Sequence, residues 1–309
     1  MTDHLQEHEH GFVDPPDEGD RQPRRPTNLL MDAWRELRRS PMFLASAAVV
    51  VIAIALAIAP GAFAGWFGHG DPHVCHLSHS GGGPMAGHPF GFDMQGCDLY
   101  ANVIYGARAT VTIGLLVTAS SLIVGVVMGA ISGYLGGVVD VLISRLADVF
   151  FGFPFILGAL IVLTVVSQRN VLTVSTVLLV FGWPTMTRLM RSTVLAQRGS
   201  DYVLAARSLG AGNFRLVRKH ILPNAIGPVI IYSTLAIGGV MVAGASLTFL
   251  GVGLQSPAIS WGLQLSDAKN YLQLHPHLLI FPGIFLSATV LGFIALGDVL
   301  RDALDPKLR

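Results

Sequence analysis

The chain contains 309 residues, of which 52% are hydrophobic and 13% are charged, and its mean hydropathy is +0.59. Soluble domains contain about 25% charged residues, so this composition excludes an ordinary soluble protein and indicates a membrane protein. The net charge of +1 argues against a nucleic-acid-binding role, because the basic residues are not gathered on a soluble module.

The region before the first apolar stretch is predicted to contain two different segments. Residues 1–26 are rich in Pro, Asp, Glu, His and Arg, and a segment of this composition cannot bury enough apolar surface to fold. We therefore expect a disordered cytoplasmic tail. In residues 27–40, Leu30, Trp34 and Leu37 fall on one face of a helix, and Arg and Glu side chains lie largely opposite. This pattern predicts an amphipathic helix at the membrane interface.

Residues 41–309 are predicted to form a transmembrane domain of six helices, which makes the fold class an all-α polytopic membrane protein. Residues 41–70, 109–139 and 220–266 contain no Lys, Arg, Asp or Glu, and each stretch exceeds the roughly 20 residues that cross a bilayer core. The predicted spans are residues 43–64, 104–133, 145–166, 171–188, 225–252 and 278–297. Only four residues separate the third span from the fourth.

The orientation of these spans follows from the positions of the basic residues. Sixteen of the twenty Lys and Arg residues lie before the first span, between Arg188 and Lys219, or after residue 300. The long loop of residues 65–103 contains none. By the positive-inside rule, both termini and the loop of residues 189–223 are predicted to be cytoplasmic, and the long loop is predicted to be extracytoplasmic.

The extracytoplasmic loop contains both cysteines of the chain, Cys75 and Cys97, and five of its eleven histidines. Thiols on the oxidising side of a membrane are natural disulfide partners, which predicts a Cys75–Cys97 bond. Closing the stretch from Cys75 to Cys97 would stabilise the folded loop by about 3 kcal/mol in the chain-entropy model. A metal site is the alternative, because His73, Cys75 and His76 lie close in sequence and both imidazole and thiolate bind zinc or nickel.

The second span carries a stripe of small residues at four-residue spacing, Gly125, Gly129 and Gly133. Such a stripe lets two helix backbones approach closely. It predicts either static packing within one bundle or packing between helices that also tilt during transport, and the sequence leaves both open.

The cytoplasmic loop contains a basic segment, residues 201–223, with the pattern of two short helices. Apolar residues recur at helical spacing in its first half: Tyr202, Val203, Ala206 and Leu209. Residues 210–213 interrupt this run with two glycines, and a second helical run is expected to stop at Pro223. A stiff helix–turn–helix joined directly to two spans is suited to dock a partner protein through its apolar face.

The same segment resembles the cytoplasmic coupling loop of permease subunits of binding-protein-dependent ABC importers. That loop begins with Glu-Ala-Ala, continues with a Gly and ends in Leu-Pro. The matching residues are Ala205, Ala206, Gly210, Leu222 and Pro223. Leu204 occupies the Glu position, so a salt bridge is not expected there. The resemblance implies that Leu204 and the five matching residues couple the chain to ATPase subunits.

Further motifs resemble those of dipeptide and oligopeptide permeases. Residues 88–91, His-Pro-Phe-Gly, and residues 105–108, Tyr-Gly-Ala-Arg, fit the pattern at the outer loop, although Phe92 replaces a Thr and Cys97 an Arg. Other matching stretches are residues 145–148, 182–184, 220–224, 260–262 and 297–309. The likeness covers about residues 27–309 and is greatest to the C-type permease of the peptide and nickel family. Residues 66–87 have no counterpart in it.

This resemblance implies a type I ABC importer permease fold in the cytoplasmic (inner) membrane. It implies four partners, namely a second homologous permease, two ABC ATPases and an extracytoplasmic solute-binding protein. The implied cargo is a di- or oligopeptide, with nickel chelates or haem as alternatives within the same family. No cofactor is expected.

A self-sufficient secondary transporter is the rival hypothesis. Transporters of that class place ionisable residues in their spans, and the first, fifth and sixth predicted spans contain no Lys, Arg, Asp or Glu across their cores. Enzymatic activity is not expected either, because the chain has no phosphate-binding loop and no hydrolase motif. Asp148 is expected to pair with Arg145 rather than to act in catalysis.

Overall fold

The computed structural model describes residues 37–68 and 70–304. The predicted disordered tail, 1–26, and most of the predicted interfacial helix, 27–40, lie outside the described residues and stay predictions. The described residues are mainly helical, with one long loop between Ala64 and Leu99, and they contain no β-strand. The all-α prediction is therefore confirmed.

The helices are numbered here in chain order. They are α1 (Pro41–Ile58), α2 (Pro60–Ala64), α3 (Leu99–Leu135), α4 (Gly137–Phe151), α5 (Phe155–Val165), α6 (Val171–Arg198), α7 (Asp201–Ser208), α8 (Asn213–Leu216), α9 (Leu222–Ala225), α10 (Gly227–Phe249), α11 (Trp261–Ala268) and α12 (His277–Leu304). A π-helical turn, Val217–Ile221, joins α8 to α9, and a 3₁₀ turn, Leu77–His79, lies in the outer loop.

Five helices of the described chain, α1, α3, α6, α10 and α12, are long and apolar enough to cross a membrane. The third predicted span, residues 145–166, is not one straight helix. Helices α4 and α5 occupy this region and meet at a bend of 80°. The break coincides with Pro154, which lacks a backbone N–H and disfavours a helical conformation at Phe153. Together the two helices form at most one bent span.

Two other spans differ from their predicted limits. The first predicted span, 43–64, is divided because Ala59 is non-helical and Pro60 begins α2. The fourth, predicted to end at residue 188, continues as α6 to Arg198. Half of the residues in this extension are polar or basic, so hydropathy did not detect it, although the Leu, Met, Ala, Gln and Arg residues among them are good helix formers. The extension brings the helix close in sequence to the segment of residues 201–223.

Helices α3 and α6 form the closest contact of the fold, and the glycine stripe lies in it. Met186 packs over Gly125, Met190 over Gly129 and Val194 over Gly133. Both series advance by four residues in the same direction, so the two helices run parallel. A Cβ atom added at Gly129 would lie 2.6 Å from both the Cβ of Met190 and the carbonyl oxygen of Thr187. The stripe therefore serves close backbone packing within one chain.

Candidate functional site

The first half of the coupling segment, residues 201–223, is a short helix with a well-defined end. Helix α7 ends in a Schellman motif, in which Gly210 donates to the carbonyl of Arg207 at 3.0 Å and Ala211 donates to that of Ala206 at 3.1 Å. Gly210 has φ +84°, a conformation that L side chains rarely adopt. The turn between the two halves therefore requires a residue without a side chain.

The second half begins at α8 and passes through the π-helical turn into α9. The expectation that Pro223 stops this run is wrong, because the helix continues to Ala225. Pro223 lies in the first turn of α9, directly after the π-helical turn, and the helix passes through it. The segment therefore leads almost without interruption into α10, which begins at Gly227.

The coupling segment is seated on the C-terminal ends of α3 and α6 by an apolar core. Val203, Leu216 and Ile221 are fully buried in one cluster with Met190 and Val194 of α6. The cluster continues to Tyr134 near the end of α3, whose hydroxyl donates to Oδ1 of Asn213 at 2.7 Å. The segment, the end of α3 and the end of α6 therefore form one packed unit, which is called the inner unit below.

The opposite face of the segment is apolar and exposed. Leu209 is 88% exposed and Phe214 is 77% exposed, and Leu204 and Tyr202 are also exposed. The segment also carries four exposed cationic side chains: Arg207, Arg215, Arg218 and Lys219. Large exposed apolar side chains, with polar or charged side chains nearby, are typical of a protein-binding surface.

The six predicted coupling residues are divided between these two faces. Leu204, Ala205, Gly210 and Pro223 are exposed, whereas Ala206 and Leu222 are half-buried at the junction with the core. The helical spacing did predict an apolar face, but Leu209 belongs to the exposed side and only Val203 of that series is buried. Phe214 was not singled out by the sequence pattern, although its large apolar side chain in a basic segment was a detectable signal.

The long loop before α3 forms a folded cap, residues 66–68 and 70–98, and the predicted Cys75–Cys97 disulfide is present in it. Asp93 organises the turn before Cys97, since its Oδ1 accepts hydrogen bonds from the backbone N–H groups of Gln95 and Cys97, each at 2.8 Å. Burial raises the pKa of the Asp93 carboxyl, and the backbone hydrogen bonds partly oppose this effect.

The cap is anchored on the outer ends of α3 and α12. Phe90 stacks on Phe281 with ring centroids 4.0 Å apart. Nδ1 of His88 lies 2.8 Å from Oδ2 of Asp98, which is 1% exposed and caps the N-terminus of α3. The cap thus covers the extremity of the bundle opposite to the coupling segment.

The alternative of a metal site gains no support from the cap. Within residues 37–68 and 70–304, no group of three or more His, Cys, Asp or Glu side chains is arranged to hold a metal ion. Cys75 is bonded to Cys97 and so supplies no thiolate to His73 and His76.

Comparison with known proteins identifies the family. The model of the family "binding-protein-dependent transport system inner membrane component" matches residues 125–309, which include α4 to α12 and the whole coupling segment. The chain belongs to this family. As a permease of this kind, it is an importer subunit rather than a secondary transporter, and its cap lies before the matched region.

Individual relatives match nearly the full length of the permease. The dipeptide transport system permease protein DppC of Bacillus subtilis (strain 168) is 35% identical over 291 residues, covering 93% of this chain and 88% of the relative. The oligopeptide transport system permease protein OppC of the same organism is 36% identical over 282 residues, 91% of each chain. The glutathione transport system permease protein GsiD of Escherichia coli O6:K15:H31 is 35% identical over 277 residues, 89% of this chain and 90% of the relative.

Proposed function

We propose that the permease is one of two membrane subunits of an ATP-driven importer that moves di- or oligopeptides across the cytoplasmic membrane. The names of its relatives refer to dipeptides, oligopeptides and glutathione, all of which are peptides. The proposal rests on the coupling segment between α6 and α10. One face of this segment is apolar and exposed, and the other is packed in a buried core with α6.

The exposed face of the segment is the docking surface for an ATPase subunit. Leu209, Phe214 and Leu204 supply apolar contact area, and Ala205 leaves room for a partner side chain close to the helix backbone. Gly210 sets the angle between the two halves, and Leu222 and Pro223 connect the second half to α10. ATP is hydrolysed on the partner subunits, and the segment transmits their movement to the spans.

The complete importer contains a second homologous permease, two ATPases and an extracytoplasmic solute-binding protein. The solute-binding protein delivers the peptide at the face that carries the cap, opposite to the coupling segment. The family name supports the role of a solute-binding protein, since it describes a membrane component that depends on a binding protein.

Reconstitution in proteoliposomes tests the proposal. The permease with its second permease, both ATPases and the binding protein should import a labelled di- or tripeptide only when ATP is present. Omission of the binding protein or of the ATPases should reduce uptake to the level of empty liposomes. Peptide uptake by the permease alone, driven by an ion gradient, would contradict an ATP-driven mechanism.

The orientation is tested by thiol labelling in intact cells. Ser78 in the cap and Ser208 at the end of α7 are both exposed. Each is replaced by a single cysteine in a background in which Cys75 and Cys97 are replaced by Ser. Ser78→Cys should react with an impermeant reagent from outside, and Ser208→Cys only after permeabilisation, as the distribution of basic residues requires. Labelling of both positions in intact cells would contradict cytoplasmic placement of the coupling segment.

A further inference from the structure

Helix α4 is tied to α6 by an ion pair between Asp140 and Arg191. The arginine binds the carboxylate with two nitrogens, and its Nη2 lies 2.6 Å from Oδ2. The hydroxyl of Ser132, near the end of α3, donates to Oδ1 of the same carboxylate. A two-pronged guanidinium–carboxylate contact fixes direction as well as distance, so it orients α4 relative to α6. Asp140 therefore joins three helices at one point.

A second ion pair ties the other end of α4 to the same helix. Arg188 contacts Asp148 through its Nη2, and its guanidinium carbon lies 3.8 Å from the ring centroid of Phe151. Arg145, the partner expected from the sequence, lies 3.8 Å from the other oxygen of Asp148 and is 81% exposed. Arg188 and Arg191 are three residues apart and so lie on neighbouring positions of one face of α6.

Apolar packing holds mainly the far end of α4. Phe150 packs edge-on against Phe181 and Trp183 of α6, and Ala147 is buried. Other large apolar side chains of the helix, among them Val138, Leu142 and Val149, are exposed. At the end that carries Asp140, the ion pair with Arg191 is therefore the main directional attachment to α6.

The attachment point belongs to the unit that carries the coupling segment. Arg191 lies between Met190 and Val194, both of which are fully buried against Val203, Leu216 and Ile221. Any displacement of the segment that moves the inner end of α6 therefore also moves the two arginines.

The far end of α4 lies beside a break in the chain. At residues 152–154, the helix axis turns by 80° into α5. This end is held against α6 by the ion pair of Asp148 with Arg188 and by Phe150, whose ring packs edge-on against Phe181 and Trp183. Helix α5 packs on the same part of α6, since Gly158 lies against the ring of Phe181 and Leu163 is buried in a core with Leu178. A movement of the Asp140 end of α4 would therefore turn the helix about the end beside the break.

We propose that Asp140 and Arg191 are positioning residues for transport, which make α4 a lever that follows the coupling segment and pivots at residues 152–154. Asp148 and Arg188 keep the far end of the lever against α6. The exposed apolar face of α4 is the surface that the lever moves. This inference rests on the proposed docking of an ATPase on residues 201–223.

Spin-label distances in the reconstituted importer test the lever. A label at Asp302, exposed on α12, is the reference, because α12 packs against α1, α10 and α11. It is paired either with a label at Lys219 in the coupling segment or with one at Leu142, which is 65% exposed on α4. In the otherwise unchanged importer, both distances should change between the nucleotide-free and the vanadate-trapped states.

Asp140→Asn should uncouple the movement of α4, reported by Leu142, from the movement of the coupling segment, reported by Lys219. The distance to Lys219 should still change, whereas the distance to Leu142 should no longer follow it. Peptide uptake per ATP hydrolysed should fall about tenfold, within the range of typical coupling between sites. The charge-exchanged pair Asp140→Arg with Arg191→Asp should recover part of the Leu142 movement and of the uptake, because it restores an ion pair between α4 and α6.

Arg145→Ala is the matched control, because it removes a neighbouring but exposed arginine of α4. It should leave both distances and uptake unchanged. If Leu142 moves in Asp140→Asn as it does in the unchanged importer, the lever is refuted while ATPase docking stands. If Lys219 does not move even in the unchanged importer, the docking proposal fails and the lever fails with it.

Discussion

Replacement of Gly210 by valine should reduce peptide uptake at least about tenfold while membrane insertion and assembly remain intact. Gly210 has φ +84°, and a β-branched residue in this region of backbone conformation is strained by about 1–3 kcal/mol. The strain is relieved when the Schellman turn opens, and this displaces Leu209 and Phe214 relative to each other. An ATPase that docks on both side chains would then hydrolyse ATP without moving the spans.

Gly212→Val is the matched control for this prediction. A Cβ atom at either glycine would meet no atom within 4 Å, so neither substitution creates a clash. Gly212 has φ −67° and ψ 156°, which valine adopts without strain. The measurements are uptake and binding-protein-stimulated ATP hydrolysis in proteoliposomes. Equal uptake by the Gly210→Val and Gly212→Val proteins would show that the conformation of this turn is not needed for coupling.

Replacement of Gly129 by alanine should destabilise the permease by about 1–3 kcal/mol, the usual effect of overpacking a core. The added methyl group would lie 2.6 Å from the carbonyl oxygen of Thr187, which belongs to the backbone of α6 and cannot rotate away. Helices α3 and α6 must then separate along their seam. The separation would also weaken the inner unit, because Met190 and Val194 contribute to both contacts.

Gly239→Ala provides the comparison within a membrane-spanning helix. Gly239 lies in α10, is exposed and would place its Cβ atom in open space. Alanine is about 1 kcal/mol more favourable than glycine inside a helix, so this variant should keep or raise the apparent melting temperature in detergent. Gly129→Ala should lower it. A melting temperature for Gly129→Ala at or above that of the unchanged protein would contradict the close packing of the two helices.

Several features of the permease could be read directly from the residues. The long apolar stretches predicted α1, α3, α10 and α12, because a bilayer core admits only segments whose backbone groups are satisfied within a helix. The two cysteines in one loop predicted the disulfide. The glycines of residues 210–213 predicted a break between two short helices, and Gly210 at this break has positive φ, a conformation that local sterics largely reserve for glycine.

Other features were decided by contacts between distant parts of the chain. Hydropathy predicted one span at residues 145–166, because it records how apolar a segment is and not the direction in which it runs. The partner of Asp148 was expected to be its neighbour Arg145, yet Arg188 of α6 also binds the carboxylate, and Asp140 is bound by Arg191. These arginines reach the two carboxylates only after α3 and α6 have packed.

The 23 residues of the coupling segment include both kinds of feature, those that the local sequence determines and those that contacts with distant residues decide. Its helices, glycine break and basic character are local properties that the sequence by itself determined. Which of its apolar side chains are buried was decided by the tertiary structure, because Val203, Leu216 and Ile221 face α6 while Leu209 and Phe214 face away from it. Helical spacing places residues on common faces, but only the packed neighbour determines which face is covered and which is left for a partner.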